Sequence, residues 1–274
     1  MSKPLTADQQ IAALKKFGIR YVETPGWRTR FRDASHGPYG PMNGFMVHHT
    51  GDDASDQADL NVLINGREGL PGPLVQYGID HEGVVHLIAN GRSNHAGGGD
   101  PRVLDQVENE SYDRYPSPSR FHDGSPDEAD GNSHFYGVEI FYSGSHKMTS
   151  SQAETVVLLA AAICDAHGWS GKSVIGHKEW SDWKSDPGQF DMHTLREAVT
   201  ARVKAGKPKP APVKRAPAAT PRPNFVKMHA AADDLATAAK AALAANSKGS
   251  SAYNAAAAAL NNATAANRAI SSFI

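Results

Sequence analysis

The segment Gly176-His177-Lys178-Glu179-Trp180-Ser181-Asp182-Trp183-Lys184-Ser185-Asp186-Pro187-Gly188 concentrates groups that can do chemistry. Histidine and aspartate are both good zinc ligands. His177 and Asp186 stand nine positions apart (186 − 177 = 9), too far for one helix face. The spacing suits a loop that folds back and brings both side chains to one ion. Pro187-Gly188 fixes the turn behind Asp186 and helps aim its carboxylate. A catalytic zinc takes three protein groups and keeps one position for water. The best source of the third group is Val47-His48-His49-Thr50, which reads as a strand. Neighbouring strand residues point to opposite faces, so only one of His48 and His49 can face the metal.

Two neutral imidazoles and one carboxylate leave zinc net positive, which lowers the pKa of bound water to ~7 from ~15.7 in bulk. The chemistry this predicts is hydrolysis. Bland readings stand beside each residue. Among 13 histidines, His48 alone reads as a packed or surface histidine; beside His177 and Asp186 it reads as a ligand. Glu139 sits in the mostly apolar run Phe135 to Phe141, where an unpaired carboxylate is costly, so it reads as functional. Lys184 without its neighbours is a solvated loop charge. Trp180 and Trp183 can stack on a ligand or simply pack.

The elements that must position these groups alternate between strand-like and helix-like. Thr6-x-x-Gln9 is a capping box opening a short helix that Gly18 closes. Asn43 to Thr50 predicts a strand, and Asp56 to Asn65 a helix ending at Gly66. Pro73 to Asp80 and Val84 to Ala89 predict a hairpin, and Asn132 to Tyr142 a further strand. Thr149 to His167 is the strongest helix, stopped by Gly168. Ser173 to Gly176 predicts a short strand, and Asp191 caps a last helix reaching about Ala205. The expected fold is α/β, a mixed central sheet flanked by helices. Gly97 to Ser133 reads as a long polar insertion, with Asp123, Asp127, Glu128 and Asp130 in a solvated, lid-forming segment that lacks the spacing of a calcium loop.

Composition changes after about residue 204. Residues 1–205 are expected to form the zinc-binding catalytic domain. Residues 206–223, rich in Pro, Lys and Ala, read as a semi-rigid linker. Residues 224–274 read as a small alanine-rich α-helical module, two helices broken near Asn246 to Ser251. Two such helices bury little area, and their small residues favour self-association.

Lys and Arg total 28 against 29 Asp and Glu, a formal net charge of −1 that gives no argument for nucleic acid or a membrane surface. The single cysteine, Cys164, excludes an intramolecular disulfide and reads as a buried small residue. No run reaches the ~18 apolar residues of a membrane helix, and no signal peptide is read at the N-terminus.

The VHHT strand, Asn94-His95-Ala96-Gly97, the strand Gly137-Val138-Glu139-Ile140 and GHKEW…KSDPG together resemble the type 2 N-acetylmuramoyl-L-alanine amidases. That family includes anhydromuramyl amidases, phage endolysins and animal peptidoglycan recognition proteins. The resemblance spans roughly Gly26 to Ala205. The Gly26-Trp27-Arg28-Thr29-Arg30 opening and the layout look most like endolysins of phages that infect actinobacteria. By this resemblance His48, His177 and Asp186 hold Zn2+, Glu139 is the general base, and Lys184 is the catalytic lysine. Asn94, His95 and Trp180 are candidates for substrate contact, with closing a loop the equal alternative for His95 and packing the alternative for Trp180. Some relatives carry a catalytic tyrosine at a position that falls near Val75; Tyr77 is two places off. The implied partner is bacterial peptidoglycan, reached from the host cytoplasm through a membrane hole, with the helical module binding the wall or self-associating. Competing readings are a non-catalytic peptidoglycan-binding module and a zinc peptidase of the stem peptide. The absence of HExxH counts against the commonest zinc peptidases.

Overall fold

Short runs rich in Val, Ile, Phe and Tyr meet in a six-stranded mixed sheet among the described residues. The computed structural model describes residues 2–118, 129–206, 225–246, 248 and 250–271. In chain order the elements are α1 (Ala7–Lys16), β1 (Tyr21–Glu23), β2 (Gly44–His49), α2 (Asp56–Asn65), β3 (Gly66–Arg67) and β4 (Leu70–Pro71). There follow β5 (Tyr77–Ile79), β6 (Val85–Leu87), β7 (Gly98–Gly99), α3 (Pro101–Glu108), β8 (Ala129–Asp130), α4 (Gly131–His134) and β9 (Phe135–Ile140). Then come α5 (Ser150–His167), β10 (Val174–Gly176), α6 (His177–Trp180), α7 (Met192–Ala205), α8 (Phe225–Ala245) and α9 (Ser251–Ser271). The sheet runs β1-β6-β5-β9-β2-β10. Only the β5–β6 hairpin pairs antiparallel; the other neighbours are parallel.

The two-residue period of the strands sorts their side chains. Phe45, Val47, Tyr136, Val138 and Ile140 enter one core with Leu14 of α1, Leu159 of α5 and Val199 of α7. On the other face Met46, Phe135 and Ile175 pack with Val103 and Val107 of α3 and with Trp180. Leu63 of α2 packs there with Val75, Ile88 and Phe141. Along β9 this second face reads Phe135, Gly137, Glu139, and beyond the strand end Phe141. Gly137 and Glu139 therefore lie between the two smaller clusters, and His48 pairs with Glu139 in register.

Local signals explain most element ends. Thr6 and Thr149 each form a full capping box, with Gln9 and Gln152 returning the bond. Gly168 closes α5 at φ 74°, a left-handed conformation that glycine adopts without steric cost. Asp191 caps α7 through the Thr194 N–H.

Three expectations need correction. The insertion Gly97 to Ser133 is not an open loop in its described part. It holds the β7–β8 pair and α3, capped by Asp100 with Pro101 opening the helix. Val103 and Val107, four positions apart, anchor α3 on the sheet. Asp123, Asp127 and Glu128 lie outside the described residues, whereas Asp130 forms an ion pair with Arg92. The strand expected from Asn132 begins only at Phe135, because Asp130 caps one helical turn first. The hairpin strands are also shorter than read, since Pro73 and the residues after it follow a path outside the ladder.

The chain divides into two compact units, Met1–Lys209 and Pro210–Ile274. The linker reading falls almost wholly outside the described residues. In the second unit α8 and α9 pack on each other through small residues, with Ala239, Ala256 and Ala263 buried while Leu235 is exposed.

One ion pair fixes the short helix α6. Arg196 of α7 donates from Nη1 and Nη2 to the two carboxylate oxygens of Glu179, at 2.8 and 2.9 Å. Glu179 also accepts from the Gly176 N–H at 2.9 Å. The two side chains are 4% and 10% exposed, so removing one partner strands a buried charge. Arg196→Met is expected to cost about 3–5 kcal/mol in urea unfolding. Adding Glu179→Gln should recover most of that loss; a single-variant loss below about 1 kcal/mol would show that the pair does not hold α6.

Candidate metal centre and active site

His48, His177 and Asp186 converge at the carboxyl ends of the parallel strands, where open α/β sheets place their sites. His48 is the last residue but one of β2, and His177 follows β10 at the start of α6. Asp186 is brought back by the loop after α6, whose course is fixed by the Lys178 N–H donating to the Asp186 carbonyl at 2.8 Å. The Lys178 ammonium adds bonds to the Pro187 and Phe190 carbonyls. On the opposite face of β2, His49 Nδ1 accepts from the Gly188 N–H at 2.9 Å, and its ring meets Tyr142 edge-on. The histidine pair is thus divided: His48 joins the cluster, and His49 holds the loop that carries Asp186.

The three inner atoms form a tight triangle. His48 Nδ1 lies 2.9 Å from Asp186 Oδ2 and 3.1 Å from His177 Nδ1, and His177 Nδ1 lies 3.1 Å from Asp186 Oδ2. Their outer partners decide where the protons sit. His177 Nε2 lies 3.2 Å from the Ala96 carbonyl, which can only accept, so Nε2 carries the proton and Nδ1 a lone pair. His95 Nε2 likewise donates to the Phe135 carbonyl at 3.2 Å, leaving its Nδ1 to accept from His48 Nε2 at 3.0 Å. His48 Nδ1 is then also a lone pair. Two imidazole lone pairs and a carboxylate oxygen therefore face one point, a donor set that calls for a cation.

The charges agree with this assignment. Burial first and then the neighbouring His177 lower His48 to about 4, against the opposing pull of Asp186, so it is neutral at physiological pH. His95 is pushed well below its ordinary value by burial and by its two histidine neighbours. Ligands at about 2.0–2.1 Å from a tetrahedral zinc stand about 3.3 Å apart, so separations of 2.9–3.1 Å fit the ion with small adjustment. Among the described residues this is the one group of three His, Cys, Asp or Glu side chains within reach of a single ion.

The cluster opens into a cleft of about 370 Å³ whose wall includes Arg67, Leu70, Asn94, Glu139 and Lys184. Glu139 Oε2 is shut off from solvent and has no hydrogen-bond partner among the described residues. Burial first, then the Asp186 and Asp59 carboxylates, push Glu139 well above its ordinary value. Lys184 carries its ammonium 3.9 Å from the centre of the Trp183 ring. Asn94 gives its Nδ2 to the Pro71 carbonyl at 2.8 Å. Both nitrogens of His95 are engaged by the protein, so the ring acts on His48 rather than on a ligand.

Two sequence-predicted residues lie elsewhere. Trp180 is fully buried against Phe135 at 5.2 Å, so it is a packing residue and cannot stack on a substrate. The exposed indole of the pair is Trp183, 60% accessible. Tyr77 is fully buried in the core on the opposite face, donating to Gln10 Oε1 at 2.8 Å, and Val75 packs beneath α2. Sequence reading missed Arg67 and Gly137. A Cβ at Gly137 would lie 2.7 Å from His95 Nδ1, so only glycine lets that ring rest on β9. Nothing in the local sequence marks this contact, which joins residues 42 positions apart (137 − 95 = 42).

An open three-ligand centre beside an unpartnered carboxylate is the arrangement of a metal-dependent hydrolase. Residues 38–189 match the N-acetylmuramoyl-L-alanine amidase family, and the chain belongs to that family. The match runs from ahead of β2 to the loop beyond Asp186 and so includes every residue of the cluster. Among solved structures the chain is similar to the endolysin amidase LysCS of Clostridium intestinale, at 15% identity over 65% of this chain and 93% of that one, TM-score 0.43. It is similar to the Staphylococcus aureus hydrolase AmiA in complex with its ligand, at 16% identity over 76% and 98%, TM-score 0.46. A Drosophila PGRP-LB mutant in complex with tracheal cytotoxin aligns at 14% identity over 64% and 90%, TM-score 0.40. No curated protein matches the sequence.

Zinc added to chelator-treated protein at about 100 times its dissociation constant is expected to stabilise the fold by about 2.7 kcal/mol, a rise of roughly 5–10 °C in Tm. His177→Ala should abolish that rise. An equal rise in the variant would place the ion elsewhere.

Proposed function

We propose that the chain is a zinc-dependent amidase that cleaves the bond between N-acetylmuramic acid and L-alanine in peptidoglycan, and that it serves as a phage endolysin. The observation that carries this reading is the convergence of three lone-pair donors beside a carboxylate with one buried, unpartnered oxygen, in a chain of this family.

Zinc held by His48, His177 and Asp186 would supply an acidified water and a Lewis acid for the scissile carbonyl. The raised affinity of Glu139 for a proton suits it to take one from the attacking water and return it to the leaving amine of L-alanine. The Lys184 ammonium faces the same cleft and would meet the negative charge that develops on the carbonyl oxygen. Asn94, on the cleft wall with its Nδ2 held by the Pro71 carbonyl, would offer its Oδ1 to an N–H of the stem peptide. Of the two tryptophans that could stack on a ligand, Trp183, exposed beside Lys184, would offer the aromatic face that buried Trp180 cannot.

The endolysin role draws on the likeness of the Gly26 to Arg30 opening and of the layout to phage lysins. In that layout residues 1–205 are the catalytic domain, residues 206–223 the tether, and the α8–α9 unit the wall-binding module, with self-association as its other use. Among the described residues no helix is long and apolar enough to cross a membrane. As an endolysin the protein would reach the wall through a membrane hole made by another protein.

Digestion of purified actinobacterial peptidoglycan, with products read by mass spectrometry, tests the reading. Wild type should release stem peptides with a free L-alanine amino terminus. Glu139→Gln should keep its zinc and lose about 10²–10⁴ in kcat. Intact walls with zinc bound to the wild type would instead indicate a recognition module, and cuts within the stem peptide a peptidase.

A further inference from the structure

We infer that Asn132 is the positioning residue for both imidazole ligands, an inference that rests on the metal site proposed above. Its Oδ1 accepts from three consecutive backbone N–H groups, those of His95 at 2.9 Å, Ala96 at 2.8 Å and Gly97 at 3.3 Å. The same short segment supplies the outer partner of each ligand. His95 Nδ1 accepts from His48 Nε2, and the Ala96 carbonyl accepts from His177 Nε2. One amide oxygen therefore fixes the groups that set the ring orientation and tautomer of two residues 129 positions apart.

The need for such a clamp follows from side-chain mechanics. The last torsion of histidine is broad, so an imidazole with no outer partner sweeps its inner nitrogen through an arc. Ligands held by an outer hydrogen bond lose that freedom, and deleting such partners weakens metal binding by about 10–100-fold. Asn132 is itself anchored. Its N–H donates to Asp130 Oδ1 at 3.1 Å, and Asp130 takes both arms of the Arg92 guanidinium, at 2.7 and 3.2 Å. The Ser133 hydroxyl lies 2.8 Å from both Asp130 Oδ2 and the Pro38 carbonyl and donates its one proton to either. The Gly131 N–H closes the contact on the Gly97 carbonyl at 2.8 Å. Arg92 is nearly buried while Asp130 is 40% exposed, so the anchor is shielded on the guanidinium side. The carboxyl-terminal end of the insertion, read from sequence as a lid, is on this account the frame of the metal centre.

The test compares Asn132→Ala, which removes the acceptor, with Asn132→Asp, which keeps one of the same shape. In zinc-free protein, hydrogen exchange at the His95, Ala96 and Gly97 amides should quicken in Asn132→Ala and stay near wild type in Asn132→Asp. Zinc affinity by chelator competition should fall about 10–100-fold in Asn132→Ala and stay within about threefold in Asn132→Asp. The visible spectrum of the cobalt-substituted protein should change only in the alanine variant. Unchanged amide exchange in Asn132→Ala would overturn the clamp. Faster exchange with unchanged zinc affinity and cobalt spectrum would overturn its role in positioning the ligands. Equal losses in both variants would do the same, since the acceptor would then not be what matters. A wild type that takes up no zinc would refute the metal site itself, while the exchange data would still decide whether the clamp exists.

Discussion

Two imidazole lone pairs and a carboxylate oxygen lie 2.9–3.1 Å apart in the protein, a spacing at which they repel unless a cation sits among them. Much of the fold can be understood as the means of holding them there. Parallel pairing of β10, β2 and β9 brings His177, His48 and Glu139 to one end of the sheet. The strand period then gives His48 and Glu139 the same face while Val47 and Val138 enter the main core on the other. Rigid apolar packing on that second side supports the metal groups without supplying any of them.

The supports come from opposite directions and do different things. His49, turned away from its neighbour, holds the Gly188 N–H and so the loop that carries Asp186. Glu179 and Arg196 hold α6, and with it His177, against α7. The segment from His95 to Ala96 reaches the two imidazoles from outside and fixes where their protons sit. Each device is a buried polar contact, expensive when half satisfied and directional when complete. Glu139 is the exception, a carboxylate with one oxygen left without a partner at the place where a hydrolase needs a base.

Much of this was legible in the sequence where the signal was local. The capping boxes at Thr6 and Thr149, the glycine stop at Gly168 and the cap at Asp191 all act within a few residues of themselves, and each element formed close to its predicted ends. The pair His177 and Asp186 was legible in the local Gly-His to Asp-Pro-Gly segment, whereas strand alternation left His48 and His49 open and the resemblance to the amidases chose between them. What escaped depends on long-range contact. Helix α3 is barely two turns long, and its two anchoring valines give too short a period to stand out in a polar stretch. Trp180 and Trp183 look alike in sequence; only packing on Phe135 buries the first and leaves the second in solvent. Gly137 and Asn132 owe their roles to His95 and its neighbours, dozens of positions away, so no window along the chain contains the reason for either residue.

Protein contacts leave both Nδ1 atoms of His48 and His177 unprotonated and aimed at one point. Long-range proton–nitrogen correlation NMR of the histidine rings reads this directly. Zinc-free protein is predicted to show His48 and His177 as Nε2–H tautomers. One equivalent of zinc should then shift both Nδ1 resonances together and leave Nε2 protonated. An Nδ1–H tautomer at either residue, or zinc bound through Nε2, would contradict the account.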